Sequence, residues 1–209
     1  MADLIEQRQA HWQNVYRTKD EHEVSWFQEN PAVSLELIHT TGAGRDASII
    51  DIGGGTSRLA DALLVEGYRS VAVLDVSAQA LTVARGRFGA RAAEVDWIVA
   101  DVTAWRPVQT YDLWHDRAAF HFLTDAGDRK AYARCVRQAV RSGGHVIIGT
   151  FALDGPERCS GLPVMRHDAA SIGAVLGASF EFAETRGHDH RTPSGSVQRF
   201  QFSRFRRIG

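Results

Sequence analysis

The sequence predicts an α/β fold in which a doubly wound, mostly parallel sheet is covered by helices on both faces. Three observations carry that expectation. Short apolar runs of strand length alternate with amphipathic stretches of helix length from about residue 46 onward. One of these runs, Ile49-Ile50-Asp51-Ile52, leads directly into Gly53-Gly54-Gly55 and then a helical stretch. The 209 residues, 44% hydrophobic and 23% charged, are enough for one filled core.

The elements follow in order. Leu4, Ile5, Gln9, Trp12, Val15 and Tyr16 share a helical face, which predicts a helix over about 3–19. Charge breaks the pattern at Lys19-Asp20-Glu21-His22-Glu23, and Val24-Ser25-Trp26-Phe27-Gln28 reads as an aromatic loop. Asn30-Pro31 reads as a cap and first-turn proline for a helix carried by Val33, Leu35, Leu37 and Ile38 and ended by Gly42 and Gly44. Strands are expected at 47–52, 70–74, 95–99, 111–114 and 145–150. Helices are expected at 58–66, 78–88, 128–140 and 169–176. Phe180–Thr185 and Val197–Phe205 look like a closing antiparallel pair. There is no internal repeat, low-complexity tract or clear linker.

Charge and cysteine content exclude several classes of function. With 24 Lys+Arg against 25 Asp+Glu, the net charge of −1 argues against a nucleic-acid partner, whose phosphates call for a basic excess. Of the basic residues only Lys19 and Lys130 are lysines, which fits genomic base composition. Two cysteines, Cys135 and Cys159, give no disulfide framework and suit a reducing compartment. No basic segment leads into an apolar run, and no stretch approaches the ~18 apolar residues of a membrane span. A cytoplasmic location and no membrane partner are therefore expected.

The glycine cluster sits where a doubly wound sheet binds ligands, beyond a strand's carboxyl end. It is not the G-x-G-x-x-G of a dinucleotide site, because Arg58 stands at the third position, and it lacks the G-K-[ST] of a P-loop. An acid, Asp51, instead lies two residues before Gly53. A carboxylate there suits a cationic or amino-bearing ligand better than a pyrophosphate. Asp75 ends the second strand, where an acid can take both hydroxyls of a ribose or cap a helix. Asp101 ends the third, placed to accept from an adenine amino group.

These segments, with Val73-Leu74-Asp75-Val76-Ser77, Tyr111-Asp112-Leu113-Trp114 and Ser142-Gly143-Gly144-His145, resemble class I S-adenosylmethionine-dependent methyltransferases over about residues 46–207. The family's acid followed by G-x-G-x-G is met by Asp51, Gly53 and Gly55, with Ser57 in place of the third glycine. The resemblance implies a Rossmann-like, seven-stranded sheet with an antiparallel last strand. It also implies S-adenosylmethionine as cofactor: Asp51 near the methionine amino end, the Gly53-Gly54-Gly55 backbone beneath it, Asp75 and Val76 at the ribose, Asp101 and Val102 at adenine. Residues 46–209 form the core domain and 1–45 the N-terminal helices and lid.

A narrower resemblance concerns the acceptor. Trp114-His115-Asp116-Arg117-Ala118-Ala119-Phe120 is similar to a segment of thiopurine S-methyltransferase-like enzymes. Trp12 through Tyr16, with Trp26-Phe27-Gln28, resembles their aromatic lid. By that likeness Trp12, Tyr16, Phe27 and Arg117 contact the cofactor. Residues after the fourth strand, His115, Asp116 and His121, are candidate acid–base groups, needed if the acceptor is an amine and dispensable for a thiolate or selenolate. Phe120 and Trp26 are candidate substrate contacts. So are Cys159 and His188, in the stretches Asp154–Arg166 and Gly187–Pro193, where such enzymes keep substrate loops. The spacing of His167, His188, His190, Asp189 and Cys159 matches no zinc signature, so no metal is expected. The expected activity is methylation of a small molecule at a soft nucleophile, with N-methylation of a protein lysine or small amine, or cofactor binding without catalysis, as alternatives.

Overall fold

A computed structural model describes residues 2–209. Helix α1 spans Ala2–Thr18 and α2 Ala32–Thr40. There follow β1 (Ser48–Ile52), α3 (Leu59–Val65), β2 (Ser70–Asp75), α4 (Ala78–Phe88), β3 (Val95–Val99) and β4 (Tyr111–Arg117). The chain continues through α5 (Ala126–Ala139), β5 (Val140–Phe151), the short strands β6 (Arg158–Cys159) and β7 (Leu162–Pro163), α6 (Ala169–Leu176), β8 (Phe180–Arg191) and β9 (Val197–Arg207).

Seven strands form one sheet in the order β3-β2-β1-β4-β5-β9-β8. The first five are parallel, and β9 enters antiparallel between β5 and β8. The winding reverses between β1 and β4, which opens a crevice at their carboxyl ends. Alternation along the strands feeds two cores. Ile50, Ile52 and Trp114 pack beneath α5 and α6 with Tyr132, Val136 and Ile172. Ile49 and Leu113 face the other way, toward Leu37 and Ile38 of α2, Leu63 of α3 and Leu81 of α4. No helix among the described residues is long and apolar enough to cross a membrane.

The structure moves several predicted boundaries. β4 does not stop at Trp114. His115, Asp116 and Arg117 continue it, because Asp116 registers with Ile52 of β1 and Arg117 with Gly149 of β5. β5 likewise runs through Gly143-Gly144, and β8 reaches Arg191. Pro31 stands at the N-cap of α2, not at its first turn, and no side chain caps that end. Ser77, not Asp75, caps α4, accepting from the Ala80 N–H.

Candidate functional site

A cleft of about 730 Å³, open to solvent at its mouth, lies at the carboxyl ends of β1, β2, β3 and β4 under α1. Of the expected cofactor residues, Trp12, Tyr16, Gly53, Asp75, Val76, Asp101, Val102 and Arg117 line it. So do Trp26 and Cys159, two of the expected substrate contacts.

The floor is the β1–α3 turn. Gly53 has φ +64°, and a Cβ there would stand 2.7 Å from Ala119 Cβ, so the position needs glycine both for its conformation and for its space. Asp75, at the end of β2, is buried and accepts from the Ser77 N–H at 2.7 Å. Burial pushes its carboxyl up to about 7, against the pull of N–H groups from Ser77, Gly55 and Val76 and reinforced by the charge of Asp51. Beyond it, Asp101 Oδ1 accepts from the N–H and hydroxyl of Thr103 at 2.8 and 2.6 Å.

At the opposite end the lining is aromatic. Trp12 meets Trp26 edge-on at 5.6 Å and Phe122 at 5.0 Å. Tyr16 stands 6.1 Å from Trp26, and burial raises its phenol far above the usual value. Arg117 donates to the Trp26 carbonyl at 2.7 Å, which ties the end of β4 to the segment between α1 and α2. Burial depresses its basicity, while the carboxylate of Asp51 opposes that effect. Burial pushes the Cys159 thiol up to about 11. Among the described residues only two non-glycines have positive φ, Ala118 at 71° and Ser160 at 49°. Each directly follows one of these lining residues, Arg117 and Cys159, so backbone strain concentrates at this end of the cleft.

The remaining expected residues lie elsewhere. His115 Nδ1 is 2.7 Å from Asp51 Oδ1 and its Nε2 2.9 Å from Ser34 Oγ, all three buried. Asp51 and Gly54 sit together under the turn, a Cβ on Gly54 falling 2.7 Å from Asp51 Oδ2. Gly55, at φ +48°, backs onto the Tyr16 hydroxyl. Asp116 accepts from the Tyr132 hydroxyl at 2.7 Å and from the Ala119 and Phe120 N–H groups, and burial pushes it up to about 6. His121 is packed between Phe122 and Phe151, and burial holds it down to about 3. Phe120 is core, against Tyr132 and His167. Phe27 lies against His22 and the Arg58 guanidinium. His188 approaches Gln28. None of these lines the cleft. Among the described residues no three His, Cys, Asp or Glu side chains are grouped as a metal site would need.

Sequence reasoning missed Arg8, which lines the cleft. The signal for Arg8 was present, since Arg8, Trp12 and Tyr16 recur at intervals of four on one helical face.

Residues 49–144 match the methyltransferase domain family. No curated protein matches the chain. Among solved structures, one described for the conversion of a disulfide bond into a thioacetal group during echinomycin biosynthesis superposes with a TM-score of 0.75 at 20% identity, covering 94% of this chain and 90% of that one. The N-methyltransferase NodS of Bradyrhizobium japonicum, in complex with S-adenosyl-L-homocysteine, gives 0.73 at 16% identity, covering 95% and 99%. The 1,6-didemethyltoxoflavin-N1-methyltransferase of Burkholderia thailandensis gives 0.70 at 17%, covering 100% and 88%. At such identities the likeness is one of fold.

Residues 49–144 are thus a methyltransferase domain, set in a fold shared with methyltransferases of the kind that take S-adenosylmethionine as cofactor. The cleft fits that cofactor. A carboxylate stands at the end of β2 and another beyond β3, and the turn beneath them leaves no room for a Cβ at Gly53.

Proposed function

We propose that the chain methylates a small, soft nucleophile of the thiol or selenol kind, in a cleft that supplies no general base. The carrying observation is that His115, Asp116 and His121 are all turned into the fold and away from the cleft lining. The raised acid that does face the cleft, Asp75, belongs to the ribose end in this reading. An amine acceptor arrives protonated at neutral pH and must lose a proton before attack. A thiol, with an ordinary pKa near ~8.5, reaches its nucleophilic anion without such help.

The cofactor supplies an activated methyl group on a sulfonium. The protein's part is to hold the nucleophile in line at about 3–3.5 Å and to keep water out. Trp12, Trp26 and Phe122 offer apolar walls for the acceptor's body. The Arg117 cation in the same region favours the anionic form of an acceptor. The net charge of −1 suits a small molecule better than a nucleic acid. Two of the fold relatives are N-methyltransferases by name, so amines are the competing acceptor class.

An acceptor panel of thiols, selenols, halides, small amines and lysine peptides, read by formation of S-adenosylhomocysteine, tests the reading. Turnover of thiols or selenols is expected, with a rate that follows ionisation of the acceptor as pH rises. Turnover confined to amines or peptide lysines would overturn it.

A further inference from the structure

Arg8 reaches from α1 to two carboxylates on separate parts of the core. Its Nη1 is 2.9 Å from Asp101 Oδ2 and 3.2 Å from Oδ1, and its Nη2 is 2.8 Å from Asp128 Oδ2. Asp101 lies just past β3 and lines the cleft, whereas Asp128 is in the first turn of α5 and does not. Arg8 is itself part of the lining, on the face of α1 that also carries Trp12 and Tyr16. The guanidinium therefore closes the β3 end of the cleft and ties the covering helix to its rim. Its planar fork of donors can serve two carboxylates at once.

We propose that Arg8 is a positioning residue of the cofactor site and the latch of α1. It orients the Asp101 carboxylate for the adenine amino group, and it releases its carboxylates each time cofactor or product leaves. The division of labour at Asp101 supports the first part. Oδ1 already takes Thr103 N–H, Thr103 hydroxyl and Arg8, whereas Oδ2 takes only Arg8 and keeps a lone pair for a further donor. The second part follows from the path. With Arg8, Trp12 and Tyr16 forming one wall, a ligand seated between Asp75 and Asp101 lies under α1, and loosening that wall widens its way out. The inference rests on the cleft being the cofactor site.

Release of S-adenosylhomocysteine, followed by stopped-flow quenching of the cleft tryptophans, tests it. Asp128→Asn weakens the latch without altering any cleft-lining side chain. It is expected to release product about tenfold faster, a loss of about 1.4 kcal/mol, and Arg8→Gln faster still. Salt should speed release from the wild type by screening the pairs and have less effect on Asp128→Asn. Circular dichroism melts establish that each variant is folded. Faster release from Arg8→Gln alone, with Asp128→Asn unchanged, would make Arg8 a plain cofactor contact and overturn the latch. Unchanged release from both would overturn the whole inference. A wild type that binds no S-adenosylhomocysteine would instead sink the cofactor reading on which it stands.

Discussion

His115 Nδ1 and Asp51 Oδ1 are 2.7 Å apart in the buried middle of the sheet, at directly paired positions of β4 and β1. His115 donates Nδ1–H to the carboxylate, so its Nε2 is left to accept from the Ser34 hydroxyl at 2.9 Å. Both imidazole nitrogens are thus engaged, and the chain links α2 to the acid beneath the glycine turn. A histidine so placed supports the turn, and its burial away from the cleft lining keeps it from any acceptor there. Replacing it by leucine leaves Asp51 a buried charge without its partner, an expected loss of about 3–5 kcal/mol, read by urea unfolding. His115→Asn keeps a donor amide toward Asp51 and should lose much less. The pH dependence of kcat in His115→Asn should keep the wild-type shape; loss of the acidic limb, where a base becomes protonated, would restore a proton-accepting role.

Asp75, proposed to hold the ribose, is expected to make cofactor binding sensitive to pH. Ionised, its carboxylate offers both oxygens to ribose hydroxyls; protonated, it loses one of them as a strong acceptor, and burial holds its pKa at about 7. Affinity for S-adenosylhomocysteine is expected to fall below that pH by up to about tenfold per unit. Stability runs the other way. The unfolded chain gives up this proton near 3.8, the folded one near 7, so between those values the folded state holds the extra proton and loses stability as pH rises. Asp75→Asn should flatten both slopes and weaken binding at pH 8. Calorimetric titrations at several pH values decide it, and a wild-type affinity constant between pH 5 and 8 would contradict it.

The frame of this molecule was legible because its signals are local. Ser70-Val71-Ala72-Val73-Leu74 and Ala169–Leu176 carry their own periodicity and stops, and the structure reproduces both nearly to the residue. The acids at the strand ends announced the cleft, and Asp75 and Asp101 line it. What was not legible depends on partners distant in sequence. His115, Asp116 and Arg117 look like a polar loop until β1 and β5 are seen on either side of them. His121 is a candidate acid–base group until Phe122 and Phe151 enclose it. Pro31 at an N-cap with no capping side chain is tolerated because Leu37 and Ile38 bury α2 in the core regardless.

His121 is expected to contribute to acid sensitivity and not to chemistry. Burial keeps it neutral down to about 3, whereas the unfolded chain protonates it near 6.5. The unfolded state therefore binds the extra proton across that window, and stability is lost as pH falls through it. The slope from this one residue approaches about 1.4 kcal/mol per pH unit. Its Nε2 has no partner, and its Nδ1 receives only a long bond of 3.4 Å from the Phe151 N–H. His121→Leu should therefore fold, lose less stability than the wild type between pH 6.5 and 5, and keep the pH dependence of turnover. Equal acid slopes in thermal melts of the two proteins would refute the assignment.

Gly53 is the position where a single methyl group should separate folding from binding. An alanine there must hold a backbone conformation near φ +64°, which costs an L-residue roughly 1–2 kcal/mol. Its Cβ would also press on Ala119 at 2.7 Å, and the two must part by about an ångström to reach ordinary contact. Ala119 lines the cleft just past Arg117 and the strained Ala118, so the displacement is carried into the site itself. Gly53→Ala is expected to remain folded with a melting temperature lower by several degrees, and to bind S-adenosylhomocysteine at least about tenfold more weakly. Gly67 lies on the opposite side of the argument: it has φ +89° but open space around its missing Cβ, and it does not line the cleft. Gly67→Ala should show a comparable conformational cost with cofactor affinity unchanged. Equal effects of the two substitutions on binding would mean that the turn at Gly53 does not seat the cofactor.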